Sequence, residues 1–200
     1  MVVRHNGGMT PREAAPSAAA PSTPVRRADA RRNHGRVFAA ALEVFQESGL
    51  LGTVPQIAER AGVGKATVYR SYATKEDLVE AVVGYRLDEL EQLTAAALAL
   101  SDPYDRFRAY VLCLFEGLAG DRVLSEALAD GQDRRTSGLL VQLSALMDEA
   151  KTAGPVRADA DIVDLRVVLC GMVLQLMRIG DREPVLWRRY GELTLQALRP

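Results

Sequence analysis

Histidine, cysteine and aromatic side chains are scarce in this chain, and each scarcity closes off a class of function. The two histidines, His5 and His34, both stand near the N-terminal end. The two cysteines, Cys113 and Cys170, each lie inside an apolar segment. No Cys/His spacing of a metal site can be drawn from residues so placed, and the thiols read as small buried side chains. A disulfide between them would not persist in a reducing compartment. Catalysis needs polar groups that converge, yet paired acids such as Asp148 and Glu149 are adjacent and so leave a helix on different sides. Catalytic residues, metal ligands and cofactors are therefore not expected. Aromatics make up 6% of the residues, which leaves the packing to alanine and leucine, both good helix formers. Strand signals are also missing: no alternating β-branched runs are bounded by hairpin turns. No apolar run approaches the roughly 18 residues of a membrane-crossing helix. The opening MVVRHNGGMTPREAAPSAAAPSTP lacks the apolar centre of a secretory signal, so a cytoplasmic location is expected.

The net charge of -1 hides an asymmetry. Residues 26–76 carry nine Lys/Arg against five Asp/Glu, a balance of +4. Residues 77–200 carry fourteen against twenty, a balance of -6. Polyanion binding is thus expected of the first part alone, because local charge decides where a duplex docks. Residues 1–25 are rich in Pro, Ala, Ser and Gly and have little to bury, which reads as a disordered tail. The stretch RRADARRNHGR follows, with Arg31 and Arg32 in a cluster that reads as a basic arm for phosphates or a minor groove; its other reading is a solvated first helical turn.

Apolar spacing of three and four predicts a helix from about residue 30 to Gly49, with Val37, Ala41 and Phe45 on one face. Thr53 and Gln56 have the spacing of a capping box, and Pro55 suits the first turn of the helix they open. Gly62 ends that helix, a short helix covers KATVYRSY, and Thr74 with Glu76 and Asp77 opens a fourth. Five more helices are expected at about 103–119, 122–130, 134–153, 161–179 and 183–198, for an all-α fold of about nine helices.

The Gly-Lys pair at Gly64 and Lys65 raises the question of a nucleotide loop. Such a loop needs glycine five residues before the second glycine and Ser or Thr after the lysine. Glu59 and Ala66 occupy those places, and a helix precedes them instead of a strand. A helix-turn-helix fits: PQIAERA, a turn at GVG, then KATVYRSY, with Ile57, Ala58, Val63 and Val68 as its small core. The second helix would enter a major groove with its N-terminal residues toward base edges. That assigns Lys65 and Ala66 to bases or phosphate, Thr67 to phosphate or a thymine methyl, Tyr69 to phosphate from the side of Lys65, Tyr72 to a half-buried edge, and Lys75 to the DNA backbone beside a helix N-terminus.

The run from ARRNHGRVFAAALEVF through TVPQIAERAGVGKATVYRSYATKEDL resembles the N-terminal domain of the TetR family of bacterial transcriptional regulators. The resemblance covers about fifty residues. It implies that Thr53, Lys65, Ala66, Thr67, Tyr69, Ser71 and Lys75 stand where family members face DNA. Gly64 replaces a common serine, Ser71 a frequent histidine and Tyr72 the usual phenylalanine. A serine reaches less far than a histidine, so a contact at Ser71 would pass through water.

The implied organisation is a tail over residues 1–25, a helix-turn-helix domain with basic arm over 26–76, and a helical effector-binding and dimerisation bundle over 77–200. The last two helices are broadly apolar and are expected to form a dimer seam through Leu165, Leu169, Met172 and Leu176, with Trp187, Tyr190 and Leu193. As in the family, a pocket inside the bundle is expected. Its candidate lining is Leu87 and Leu90; Phe107, Tyr110, Val111, Leu114 and Phe115; Leu143, Leu146 and Met147; and again Met172. That lining favours a small apolar or aromatic effector. The expected function is a repressor, homodimeric on double-stranded operator DNA and released by the effector. The alternative is a helical protein-binding adaptor whose reading head is degenerate.

Overall fold

The computed structural model describes residues 23–130 and 134–200. The tail reading over residues 1–22 lies outside the described residues. Nine α-helices are found among them: α1 Thr23–Ser48, α2 Val54–Ala61, α3 Lys65–Ser71, α4 Lys75–Leu98, α5 Pro103–Gly120, α6 Arg122–Asp130, α7 Arg134–Lys151, α8 Ile162–Ile179 and α9 Pro184–Ala197. A single 3₁₀ turn, Gly49–Leu51, follows α1. The expected starts and stops hold to within a few residues, except that α1 begins earlier than residue 30. The segment read as an arm is therefore helical from Thr23 onward.

Local chemistry accounts for most boundaries. The Thr74 hydroxyl accepts from the Asp77 amide at 3.0 Å, and the Asp77 carboxylate accepts from the Thr74 amide at 2.9 Å. These bonds satisfy donors that the first turn of α4 would leave free. Asp102 precedes Pro103 and caps α5 through the Asp105 amide at 2.8 Å. Asp161 accepts from the amides of Val163 and Asp164 at the start of α8. At α2 the Gln56 side chain accepts from the Thr53 amide at 2.8 Å. The Thr53 side chain faces the Gln56 backbone in return, so the expected box is present, and its hydroxyl also donates to the same Gln56 oxygen at 2.8 Å.

Two cores form, and α6 touches both. The smaller gathers Val37, Ala41, Phe45, Ile57, Ala58, Val68, Leu78, Val82 and Val83, with Val123 and Ala127 from α6. The larger is built from α4, α5, α7, α8 and α9, with Leu124 and Leu128 from the other side of α6. Ile57 and Val68 pin the short α2 and α3, which would not hold their shape alone; burying a side chain such as Ile57 contributes about 1.5–3 kcal/mol. Because Leu78, Val82 and Val83 sit in the smaller core, α4 runs across the boundary expected at residue 76 and joins the head to the bundle. Tyr85 of α4 is exposed and meets Phe38 edge-on at 5.6 Å.

Candidate nucleic-acid interface

The hinge between α2 and α3 shows why the second helix stands outward. Gly62 adopts φ +62, a left-handed conformation that glycine takes without a Cβ penalty. Its amide donates to Glu59 O and that of Val63 to Ala58 O, each at 3.0 Å, so the chain turns within a few residues. The Gly64 carbonyl accepts from the amides of Thr67 and Val68 and starts α3 without a capping side chain. Arg60 anchors the pair from behind. Its guanidinium donates to both oxygens of Glu47 at 3.0 and 2.9 Å and to Glu43 at 2.8 Å, all on α1. The hydrogen bond from Arg60 holds the Glu47 carboxyl below its ordinary range.

On the outer side of this frame Thr53, Lys65, Ala66 and Tyr69 are all exposed, Tyr69 to 52%. Thr67 is half-buried, and Arg70 donates to its hydroxyl at 2.8 Å. The Ser71 hydroxyl donates to Thr67 O at 3.2 Å, back along its own helix. Arg31 and Arg32 are exposed on α1, where Arg32 pairs with Asp29.

Two residues of the expected set also have partners within the protein. The Lys75 ammonium donates to Leu50 O at 2.7 Å and is partly buried, so it ties α4 to the turn after α1. The Tyr72 ring stacks on His34 with centroids 4.8 Å apart, and its hydroxyl lies 3.1 Å from His34 Nε2. Burial raises the Tyr72 hydroxyl above its ordinary pKa. Both residues support the interface from beneath.

Asn33, His34 and Arg70 were not singled out as contacts from the sequence. Together with Asp29, Arg31, Thr67 and Ser71 they line an open groove of about 710 Å³ between α1 and α3. The signal lay in the basic cluster itself: once it is helical, residues 30, 31, 33 and 34 follow one helical side. Around Lys65 and Tyr69 the surface thus offers donors and hydroxyls on a rigid, outward helix, the geometry that enters a major groove.

The bundle divides the residues expected at the seam and in the pocket. Leu165, Leu169 and Trp187 are fully buried within the protein's own core and Leu176 nearly so, with the Trp187 indole donating to Asp181 O at 2.8 Å. Leu165, Leu169 and Trp187 correct the expected seam, whereas Leu176 still lines the groove on the open face of α8; that face carries Val163, Val167 and Gly171, at successive intervals of four. Met172 and Tyr190 do reach that face, where they line a groove of about 350 Å³ with Val167, Val168 and Ile179; Leu193 is half-buried. Of the expected pocket lining, Phe107, Val111, Leu114, Phe115, Leu143 and Met147 are fully buried packing residues and Leu146 nearly so. Leu87, Leu90 and Tyr110 line a separate cavity of about 280 Å³ between α4, α5 and α7. Met172 lies on the α8 groove instead. Glu116 pairs with Arg188 of α9.

An outward α3 over a three-helix head, carried on a six-helix bundle, defines a helix-turn-helix DNA-binding regulator. The sequence profile of "Bacterial regulatory proteins, tetR family" matches residues 37–82. The TetR transcriptional regulator SCO0520 from Streptomyces coelicolor is 32% identical over 84% of this chain and 98% of its own, with a TM-score of 0.53. The chain therefore belongs to the TetR family of bacterial regulatory proteins. The HTH-type transcriptional regulator SrpR of Pseudomonas putida is 26% identical over 78% of each chain. FadR from Bacillus subtilis, solved with stearoyl-CoA, covers 83% of this chain and all of its own at TM-score 0.64; at 19% identity this is a likeness of fold alone. Among the described residues no group of three or more His, Cys, Asp or Glu is placed to hold a metal ion. None of the described helices is long and apolar enough to cross a membrane.

Proposed function

We propose that this protein is a homodimeric transcriptional repressor that leaves its operator when a small molecule occupies the bundle. The observation that carries the reading is the exposed face of α3: Lys65, Ala66 and Tyr69 point away from the head core while Val68 anchors the helix within it. Lys65 and Thr67 address base edges and phosphate, and Tyr69 donates its hydroxyl to phosphate. Thr53 meets the backbone at the N-terminus of α2, and Arg31 and Arg32 extend the basic surface along α1.

The α8–α9 face supports pairing with a second copy. Val167 is 66% exposed and Val163 61%, and Gly171 between the ridges lets helices approach closely. A helix pair from each protomer would bury these residues and set two α3 helices roughly 34–36 Å apart, one turn of B-DNA. Release follows from continuity: α4 and α6 each contribute to both cores, so a ligand that moves them respaces the reading heads. Fluorescence anisotropy with duplexes from beside the protein's own gene tests the reading. We expect binding well above that of random duplex; equal affinity for both at physiological salt overturns it.

A further inference from the structure

The cavity between α4, α5 and α7 has a divided wall. Leu87, Leu90 and Leu139 make it apolar, and the fully buried Tyr110 lines it from α5. Asp88 and Glu91 of α4 and Gln142 of α7 complete it, and no basic side chain among the described residues does so. The lining thus departs from the wholly apolar one that the sequence suggests.

Several other acids of the bundle pair with arginines. Glu116 pairs with Arg188, Glu149 with Arg106, Glu192 with Arg108 and Asp164 with Arg157. The carboxylates of Asp88 and Glu91 have neither an ion pair nor a hydrogen bond among the described residues. Three positions apart on one helix, they are neighbours on its surface and repel each other. A cation held between them relieves that repulsion. The Tyr110 hydroxyl donates to Gln142 Oε1 at 3.3 Å. Burial, and to a lesser degree the charge of Glu91, raises its pKa, which keeps it a neutral donor. An anion entering here would meet two carboxylates, and a wholly apolar ligand would desolvate them without a counter-charge.

We propose that this cavity binds a small organic cation, an amine or quaternary ammonium bearing an apolar group. The charge sits between Asp88 and Glu91, and the apolar part lies against Leu87, Leu90 and Leu139. At about 280 Å³ the space suits a ligand smaller than the drug-sized molecules that fill pockets of roughly 300–1,000 Å³. The inference deepens the effector reading above and rests on it for any consequence at DNA.

Isothermal titration of the full chain with benzyltrimethylammonium, phenylacetate and benzyl alcohol tests it. We expect saturable binding of the cation, at least about tenfold tighter than either counterpart, a difference of about 1.4 kcal/mol. The near-isosteric pair Asp88→Asn with Glu91→Gln should weaken the cation by a similar factor. These positions are exposed, so folding is kept. Gly138 lines the same cavity, and a Cβ there would meet nothing within 4 Å. Gly138→Phe therefore fills the opening, and should abolish the binding with thermal stability retained. Equal binding of all three probes, no cation binding at millimolar concentration, or undiminished binding by the doubly neutralised variant would each overturn the proposal. Operator anisotropy without any probe separates the two readings. Operator recognition without cation binding sinks this inference alone, and cation binding without operator recognition sinks only the repressor reading.

Discussion

Replacing Gly49 with alanine is expected to destabilise the protein far more than a glycine-to-alanine change at a surface turn. Gly49 is buried and holds φ +67, where an L-residue is penalised by roughly 1–2 kcal/mol. A Cβ there would also overlap the Glu126 carboxylate. That carboxylate accepts from the Leu50 amide at 2.6 Å and from Arg122 Nε at 2.8 Å, a junction between the turn after α1 and helix α6. Displacing it forfeits a charge-assisted bond to a partly buried amide, about 1.5–3 kcal/mol. The single substitution should therefore cost about 3 kcal/mol in all. Glu126→Ala alone should cost about 2 kcal/mol, through the same lost bond. The double variant is the informative one. With the carboxylate gone, the new methyl has room, so Gly49→Ala should then add only its backbone penalty of about 1 kcal/mol. Urea unfolding at fixed protein concentration measures all four corners of this cycle. If the two costs simply add, the close approach of Gly49 to Glu126 does not govern the junction and the reasoning fails.

Lys65→Met should weaken operator binding and lower the salt dependence by about 0.9 in log-log slope for one lost phosphate contact. Lys75→Met, whose ammonium is held by Leu50 O, should instead lower stability by about 1 kcal/mol and leave that slope nearly unchanged; matched slope losses in anisotropy titrations would contradict the placement of Lys75. Val167→Glu would set like charges on a two-fold seam and should convert the dimer to monomer in sedimentation analysis, while Val167 variants that stay dimeric argue for another interface. Burial raises the Asp121 carboxyl above its ordinary value of 3.8, despite the amide bond from Leu124 and the nearby Arg86. With the folded value the higher one, stability from this group is full below 3.8 and falls as pH rises through the folded value. Asp121→Asn removes that loss, so its stability relative to the parent should improve as pH rises from 4 toward 7 in thermal melts, and a gap independent of pH would refute the assignment.

The helix count and nearly all helix limits were legible in the sequence, because their causes are local. Thr74 with Asp77, Asp102 before Pro103, and the left-handed glycines at 62 and 180 act within a single turn. The outward face of α3 was legible for a similar reason: Val68 is its apolar anchor, which leaves Lys65, Ala66 and Tyr69 outside. Lys75 was not legible. Its reach to Leu50 spans 25 positions, and nothing near it in sequence marks that carbonyl as free. The same holds for Tyr72, whose partner His34 lies 38 positions away.

The bundle shows where pattern stops and packing decides. Helices α8 and α9 are apolar around much of their circumference, so periodicity established that they face more than solvent without saying which side faces home. Burial against α5, α6 and α7 took Leu165, Leu169 and Trp187 inward and left Val163 and Val167 open. Likewise Asp88 and Glu91 read along the chain as ordinary helix-surface acids, and only the approach of α7 to α4 sets them at the rim of a cavity. The sequence by itself determined the helices, their caps and the reading helix, since backbone propensity and hydrogen-bond satisfaction act over a few residues. Tertiary structure alone decided which apolar faces remain open and which charges lack a partner, because burial and ion pairing depend on neighbours that the chain brings together from far apart.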